Sequence, residues 1–381
     1  MGRSPDVARP FSISTKLGRL LARADVQSFA MRLPIARWFA KRDGAEIFDI
    51  IQGFVSSQVL VALVEFELFD RLAGGPKPVR QLAHETGIKV ERLLVFLQAG
   101  AALGILRRRR DGRFGLARKG AALRGVPGLT DMIRHHRVLY RDLEDPAAFL
   151  RDDARTELSE FWPYVHNATN VGRDEADRYS LLMARSQRLV AEDTLRKVSL
   201  NVIRHLVDIG GGSGAFLAEV ARRYPNMKLT LFDLPETRDA ADAYLFSVGL
   251  SDRISCVGGS FRSDPFPTGA DAISLIRVLY DHDDATVQDL LSKVFEALPP
   301  GGRVIVSEPM SGGDHPDPIT DVYFAIYTLA MGTGKTRSAM QIGALLKQAG
   351  FVDVAPLTPL RSYITSSVTA SKPAETAGLH E

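Results

Sequence analysis

The sequence predicts an α/β fold: a mostly parallel sheet wound with helices in the C-terminal half, preceded by a smaller helical domain. Three stretches point to it. Leu206–Phe216, LVDIGGGSGAF, gives a short apolar strand, a glycine turn and the start of a helix. Lys228–Leu234, KLTLFDL, is a second strand that ends on Asp233 and is stopped by Pro235. Beyond it Arg253–Val257, Ala272–Leu279, a helix near Asp284–Leu298 and Gly301–Glu308 continue the βαβαβ alternation.

Composition narrows the function classes. With 381 residues, 45% of them hydrophobic, the chain can build two cores, and its net charge of +3 is too small to say much about partners. Cys256 is the single cysteine, so no disulfide framework or cysteine metal cluster is expected, and a reducing, cytoplasmic setting is. No histidine or carboxylate pair stands at ligand spacing with a supporting motif, so no metal is expected. Met1–Leu20 is basic and broken by Pro5 and Pro10, unlike a secretory leader. Phe54–Phe66, the most apolar run, carries Gln58 and Glu65 and reads as too short to span a bilayer.

In chain order, residues 1–44 form a basic helical arm, with Arg3, Arg9, Lys16, Arg19, Arg23, Arg32, Arg37 and Lys41 set among Leu and Phe. Such an arm either lies on an anionic membrane surface or packs on its own protein or a partner copy. Residues 45–125 read as helices, then a helix–turn–helix (Val79–Thr86, Gly87, Val90–Ala102) and an arginine-rich wing with an Asp111-Gly112 turn. DNA binding is disfavoured, because Val90–Ala102 carries only Glu91, Arg92 and Gln98 as polar groups and base edges need a wetter helix. A dimerisation module is the better reading. Residues 126–199 are a helical connector and pocket lid, broken at Phe161–Tyr164, in which Tyr179 and Met183 face either an apolar substrate or the domain interior. The cofactor domain spans 200–368, closing with a helix Ile342–Phe351 and a hairpin of Val352–Val354 and Ser362–Ser366, and residues 369–381 are read as a disordered tail. Gly334-Lys335-Thr336 ends like a phosphate loop, but the glycine that motif needs is Leu329, inside a segment that reads as helix.

The glycine turn carries the chemistry. Gly210, Gly212 and Gly214 let backbone approach a ligand, and the helix that follows offers free N–H groups. Asp233 follows Gly210 by one helix and one strand, close to the offset of ~20 residues at which an acid meets a ribose hydroxyl. A pyrophosphate would be repelled by Asp208, which lies on the strand just before the glycines, whereas a cationic sulfonium with an amino-acid tail suits the turn.

That arrangement of acid and glycines resembles the first motif of the S-adenosylmethionine-dependent methyltransferases. With the winged helix, Phe232-Asp233-Leu234-Pro235, Leu279–Asp284, Pro300-Gly301-Gly302 and Glu308, residues 45–368 resemble the O-methyltransferase family of the plant phenolic and acetylserotonin enzymes. The resemblance implies a Rossmann-like seven-stranded methyltransferase sheet, an N-terminal winged-helix dimerisation domain, and a homodimer whose helical domains interlock. It also implies S-adenosylmethionine on Asp208, Gly210, Gly212, Gly214, Asp233, Leu234, Gly259, Ser260, Phe261 and Arg277, and an acceptor pocket of Tyr179, Met183, Tyr327 and Met331.

The departures from the family pattern point to its substrate. Where the family has a base in a His-Asp-Trp run, this chain has Tyr280-Asp281-His282. The acid expected near Gly259 and the lysine expected at Ile276 are missing, and of two flanking glutamates Glu308 matches while the second falls on Thr336. This pattern looks like the carotenoid branch of the family in purple bacteria, which implies methylation of the tertiary 1-hydroxyl of an acyclic carotenoid, and an enzyme peripheral to the photosynthetic inner membrane. A tertiary alcohol is too weakly acidic for a side chain to ionise, so proton loss lags behind C–O bond formation and alignment in a dry cavity is the main task. Tyr280 is expected to orient the hydroxyl, and His282 or Glu308 to take the proton. A same-fold methyltransferase for a tetrapyrrole or polyketide, and a non-catalytic regulator, are the competing readings.

Overall fold

The computed structural model describes residues 32–153, 155–161 and 187–374, with residues 19, 23 and 26. The chain divides between Ala122 and Leu123 into two compact units.

In the first unit, α1 (Pro34–Glu65) starts on a proline, whose missing N–H would be unpaired at that position anyway. It runs straight through the boundary expected at residue 44, because neither Gly44 nor Gly53 costs enough to break it. Only its C-terminal part is buried, through Val59, Val61, Leu63 and Val64, while Ile47, Phe48, Ile50, Ile51 and Phe54 are exposed. Read as one helix rather than as Phe54–Phe66 alone, it is long and apolar enough to cross a membrane by length and composition. After α2 (Leu68–Arg71) come α3 (Val79–Thr86) and α4 (Val90–Ala102), the helix–turn–helix at its expected residues, with Gly87 left-handed at φ 69° between them. β1 (Leu106–Arg108) and β2 (Phe114–Leu116) pair as the wing, and Leu82, Leu93, Leu97, Leu106 and Phe114 form the core beneath it. α5 (Arg118–Gly125) follows.

The second unit takes in both the expected connector and the cofactor domain. α6 (Leu129–Asp142), α7 (Pro146–Arg151, capped by Asp145), α8 (Glu157–Phe161) and helical residues 187–197 (α9) lead into the sheet. Its strands are β3 (His205–Ile209), β4 (Lys228–Asp233), β5 (Ile254–Gly258), β6 (Ala272–Ile276), β7 (Arg303–Glu308), β8 (Val352–Leu357) and β9 (Ser366–Ser371), in the order β5-β4-β3-β6-β7-β9-β8. The first five are parallel; β9 is antiparallel to both β7 and β8. Helices α10 (Ala215–Arg223), α11 (Arg238–Ser247), α12 (Asp284–Ala297), α13 (Ala325–Ala330) and α14 (Ala339–Gln348) complete the unit. Alternate residues feed two cores: Val207, Ile209, Ile273 and Val304 face one side with α12 and α14, and Leu206, Leu229, Leu231 and Ile305 face the other with α9, α10 and α11.

β3 lies between β4 and β6, so chain connections leave it in opposite directions. A crevice therefore opens at its C-terminal end, where the glycine turn sits. The final strand lies later than expected: it covers Ser366–Ser371, not Ser362–Ser366, so residues 369–371 are not tail. Thr369, Ala370 and Ser371 pair with Ile305, Val304 and Arg303, and the strand is buried between two neighbours despite its polar sequence.

Candidate functional site

The glycine turn is packed below and open above. Gly210, Gly212 and Gly214 have φ of 68°, 56° and 77°, conformations a side chain rarely adopts. A Cβ on Gly210 would stand 2.9 Å from Val278, and one on Gly211 would collide with Leu231 and the carboxyl of Asp208. At Gly212 nothing lies within 4 Å. The open space over Gly212 is a cradle that leaves room for the methionine end of S-adenosylmethionine. Gly211→Ala is accordingly expected to destabilise the fold by about 3 kcal/mol or more in urea denaturation, whereas Gly212→Ala should cost only about 1 kcal/mol of strain and act on ligand affinity instead.

Asp233, at the end of β4, faces this cradle. Its Oδ2 accepts from Gly212 N at 2.6 Å and its Oδ1 from Leu234 N at 2.7 Å, which ties the turn to the neighbouring strand. Burial pushes its carboxyl up while these two N–H groups pull it down. Asp208 was expected beside the glycines, as an acid that would repel a pyrophosphate. It lies fully buried beneath the turn, Oδ1 accepting from Ser274 Oγ at 2.6 Å and Oδ2 without a partner among the described residues. Burial pushes it up to about 7, against the pull of the Ser274 hydroxyl.

The loop after β5 supplies the next wall. Gly259 N donates to Asp233 O at 2.8 Å, and a Cβ there would stand 2.7 Å from the Phe232 ring. Ser260 N is held by Asp264 at 2.7 Å, and the Phe261 ring lies edge-on to His282 at 5.2 Å between centroids.

Of the three expected catalytic residues, Tyr280 and Glu308 are joined by a hydrogen bond and His282 packs against Phe261. Tyr280 stands in a 3-10 turn, Leu279–Asp281, with its phenol oxygen accepting from Arg277 Nε at 3.2 Å and Nη2 at 3.1 Å. Burial pushes this phenol far up in spite of the guanidinium. Arg277 itself, just past β6, has a left-handed φ of 59°, a strained conformation for a non-glycine residue. Glu308, the last residue of β7 and fully buried, accepts from Tyr280 N through Oε2 at 3.1 Å. Its Oε1 has no partner among the described residues, and burial pushes the group up to about 7. Asp281, beside them, is pushed well above the ordinary carboxylate range by burial.

His282 meets the Phe261 ring. Burial and then the Arg262 guanidinium pull it down to about 4, and Nδ1 has no partner among the described residues. Arg337, which no motif flagged, holds this segment in place. Its side chain, 1% exposed, donates to the carbonyls of Leu279 at 2.9 Å and His282 at 2.9 Å and pairs with Asp284, so the Leu279–Asp284 segment is clamped.

Of the expected acceptor pocket, Tyr327 and Met331 are buried together with Leu139, Leu158 and Ala330, and Tyr179 and Met183 lie outside the described residues. Sequence reasoning missed Tyr323, His135 and His136, which belong to the same wall; a doubled histidine on an amphipathic helix was the only signal available.

A family model described as an O-methyltransferase domain matches residues 140–352, and one described as an O-methyltransferase dimerisation domain matches residues 48–123. Demethylspheroidene O-methyltransferase of Cereibacter sphaeroides is 53% identical over 363 residues, 95% of this chain and 96% of that protein. The protein of the same name from Rhodobacter capsulatus is 51% identical over 342 residues, covering 90% of this chain and 85% of its own. Human N-acetylserotonin methyltransferase, solved with S-adenosylmethionine, superposes with a TM-score of 0.75 at 25% identity over 87% of this chain and 98% of that one.

Proposed function

Because the chain belongs to the O-methyltransferase family, we propose that it methylates the tertiary 1-hydroxyl of an acyclic carotenoid of the demethylspheroidene type, the acceptor its 53% and 51% identical relatives are named for. It is an S-adenosylmethionine-dependent enzyme of carotenoid biosynthesis, and its dimerisation domain makes it a homodimer.

The observation that supports this acceptor is Tyr280 in the grip of Arg277. The guanidinium edge occupies the accepting side of the phenol, so the group left to Tyr280 is its own O–H, a donor that cannot serve as base. Such a site orients an alcohol and does not ionise a phenol. S-adenosylmethionine, when bound, supplies an electrophilic methyl group on a sulfonium. Gly210 and Gly212 would hold its amino-acid end and Asp233 its ribose, with Phe261 and His282 beside the adenine. The Tyr280 O–H holds one lone pair of the acceptor oxygen, which leaves the other to form the new C–O bond. As that bond forms the hydroxyl proton becomes acidic, and Glu308 Oε1 takes it. His282 packs against Phe261, a residue assigned to the cofactor, whereas Glu308 is bonded to Tyr280 N, and we therefore assign the proton to Glu308.

A labelled-methyl assay tests the reading, with 1-hydroxyneurosporene in detergent beside a phenol and a bacteriochlorophyllide. Label in the carotenoid alone supports it; label only in a control, or none while the cofactor binds, overturns it. Tyr280→Phe should lower kcat about 10- to 100-fold with little change in cofactor affinity, and full activity in that variant would remove Tyr280 from the mechanism.

A lipid-dissolved polyene also gives the start of α1 a role. Trp38 and Phe39 are exposed beside Arg37, Lys41 and Arg42, and Arg42 stacks over both rings at 5.4 and 5.8 Å, a composition suited to the surface of an anionic membrane. Deleting Met1–Lys41 should release the enzyme from anionic vesicles in a flotation assay; unchanged flotation would assign the arm elsewhere.

A further inference from the structure

Two imidazoles on α6 meet two phenols from the segment after β7. His135 Nε2 is 2.9 Å from Tyr327 Oη, and His136 Nε2 is in close hydrogen-bond contact with Tyr323 Oη. Tyr323 lies in a π-helical turn, Thr320–Phe324, and Tyr327 follows it by one turn in α13, so the two rings lie side by side at 5.9 Å. The His136 and Tyr323 rings meet edge to face at 5.3 Å. Leu139, Leu158, Ala330 and Met331 surround the phenols, and a phenol among such neighbours costs free energy unless it is hydrogen-bonded.

These phenols stand near the reacting end of the proposed site. The turn after α13 clamps the segment that carries Tyr280: Lys335 N donates to Tyr280 O at 2.8 Å and Thr333 Oγ1 to Asp281 O at 2.9 Å. Tyr323 and Tyr327 also feel the charge of Arg277 and the phenol of Tyr280. Three phenols thus gather on one wall, held by His135, His136 and Arg277. A phenol can donate one hydrogen bond and accept more than one, so each keeps a second function to offer a ligand. Burial holds both imidazoles below their ordinary range and both phenols above theirs, so this part of the wall is uncharged at neutral pH.

We propose that His135 and His136 are positioning residues for acceptor recognition: they lock Tyr327 and Tyr323 into a neutral hydrogen-bonding wall that reads the hydroxyl of the acceptor and rejects the same polyene without it. A wall built to hydrogen-bond a hydroxyl is left with unpaired groups when the hydroxyl is missing, which an apolar pocket would not be. This deepens the carotenoid reading and rests on it.

The experiment measures binding separately from turnover. Affinities of the full-length enzyme for 1-hydroxyneurosporene and for neurosporene, which lacks the hydroxyl, are measured in detergent by tryptophan quenching, beside the labelled-methyl assay. The parent enzyme should prefer the hydroxylated polyene about tenfold or more. His135→Phe and His136→Phe should each reduce that preference at least threefold through weaker binding of the hydroxylated form alone, with S-adenosylmethionine affinity and neurosporene binding unchanged. His135→Asn, which keeps a polar group, should recover part of the preference. Equal affinities in the parent overturn the proposal, whether or not it turns over. Loss of both polyenes together in the Phe variants also overturns it, because that is what a purely structural role predicts. A parent that prefers the hydroxylated polyene, loses that preference in the variants and transfers no methyl group to it upholds the wall and refutes the proposed reaction.

Discussion

Replacing Glu308 by glutamine is expected to lower turnover by about 100-fold, the scale of a lost general base, and to flatten part of the pH dependence of stability. Burial raises Glu308 from an ordinary value of 4.5 to about 7, so the folded enzyme holds this proton across a range where the unfolded chain has released it. Stability contributed by the protonated group is present below pH 4.5 and is lost as pH rises toward 7, by on the order of 3 kcal/mol. Glutamine keeps an oxygen for Tyr280 N and never ionises. The stability of the parent minus that of the variant should therefore fall by about 3 kcal/mol between pH 4.5 and 7.5 in urea denaturation. The difference is the quantity to measure, because His135 and His282, both pulled down to about 4, act in the opposite sense in either protein. Their stabilising contribution is present above pH 6.5 and is lost as pH falls toward 4. A variant that turns over like its parent would move the proton elsewhere, with His282 next to be tested.

The second large effect is expected at Asp233. Alanine there removes the acceptor for Gly212 N and Leu234 N as well as the proposed ribose contact. Hydrogen bonds to a charged group contribute about 1.5–3 kcal/mol each, so S-adenosylmethionine affinity should fall about 100- to 1,000-fold by calorimetry. Asparagine keeps one oxygen and should fall between alanine and the parent. An alanine variant that binds the cofactor within threefold of the parent would place the ribose elsewhere.

Asp233 and the glycines were legible in the sequence because their relation is local: one helix and one strand separate them, and strand pairing does the rest. Tyr280 and Glu308 meet for a similar reason, since Glu308 ends β7 and Tyr280 stands in the turn that follows the neighbouring parallel strand β6. The contact of His282 with Phe261 was not legible. Two residues from Tyr280, His282 reads as part of the same site, and its packing against Phe261 belongs to a segment held by the 3-10 turn and the Arg337 clamp. The His135–Tyr327 and His136–Tyr323 pairs join residues nearly two hundred positions apart, a distance no periodicity encodes. α1 was cut at residue 44 because its charge changes there, yet helix formation follows backbone propensity, which does not. β9 was misplaced because Ser and Thr dominate it, and burial between two strands is a property of its neighbours.

The position of β9 bears on how the enzyme is made. β7 carries Glu308, and on its outer side it pairs residue for residue with β9, Glu308 opposite Ser366, through a strand supplied from far downstream. Chains fold as they leave the ribosome, and until Ser366–Ser371 emerges β7 remains an open edge, the kind of surface that pairs with other nascent chains. β3 to β6 and the glycine turn do not pair with β9. A nascent chain can therefore assemble its cofactor cradle before its acceptor wall is in register, and a stop codon before Ser366 should yield an aggregating chain.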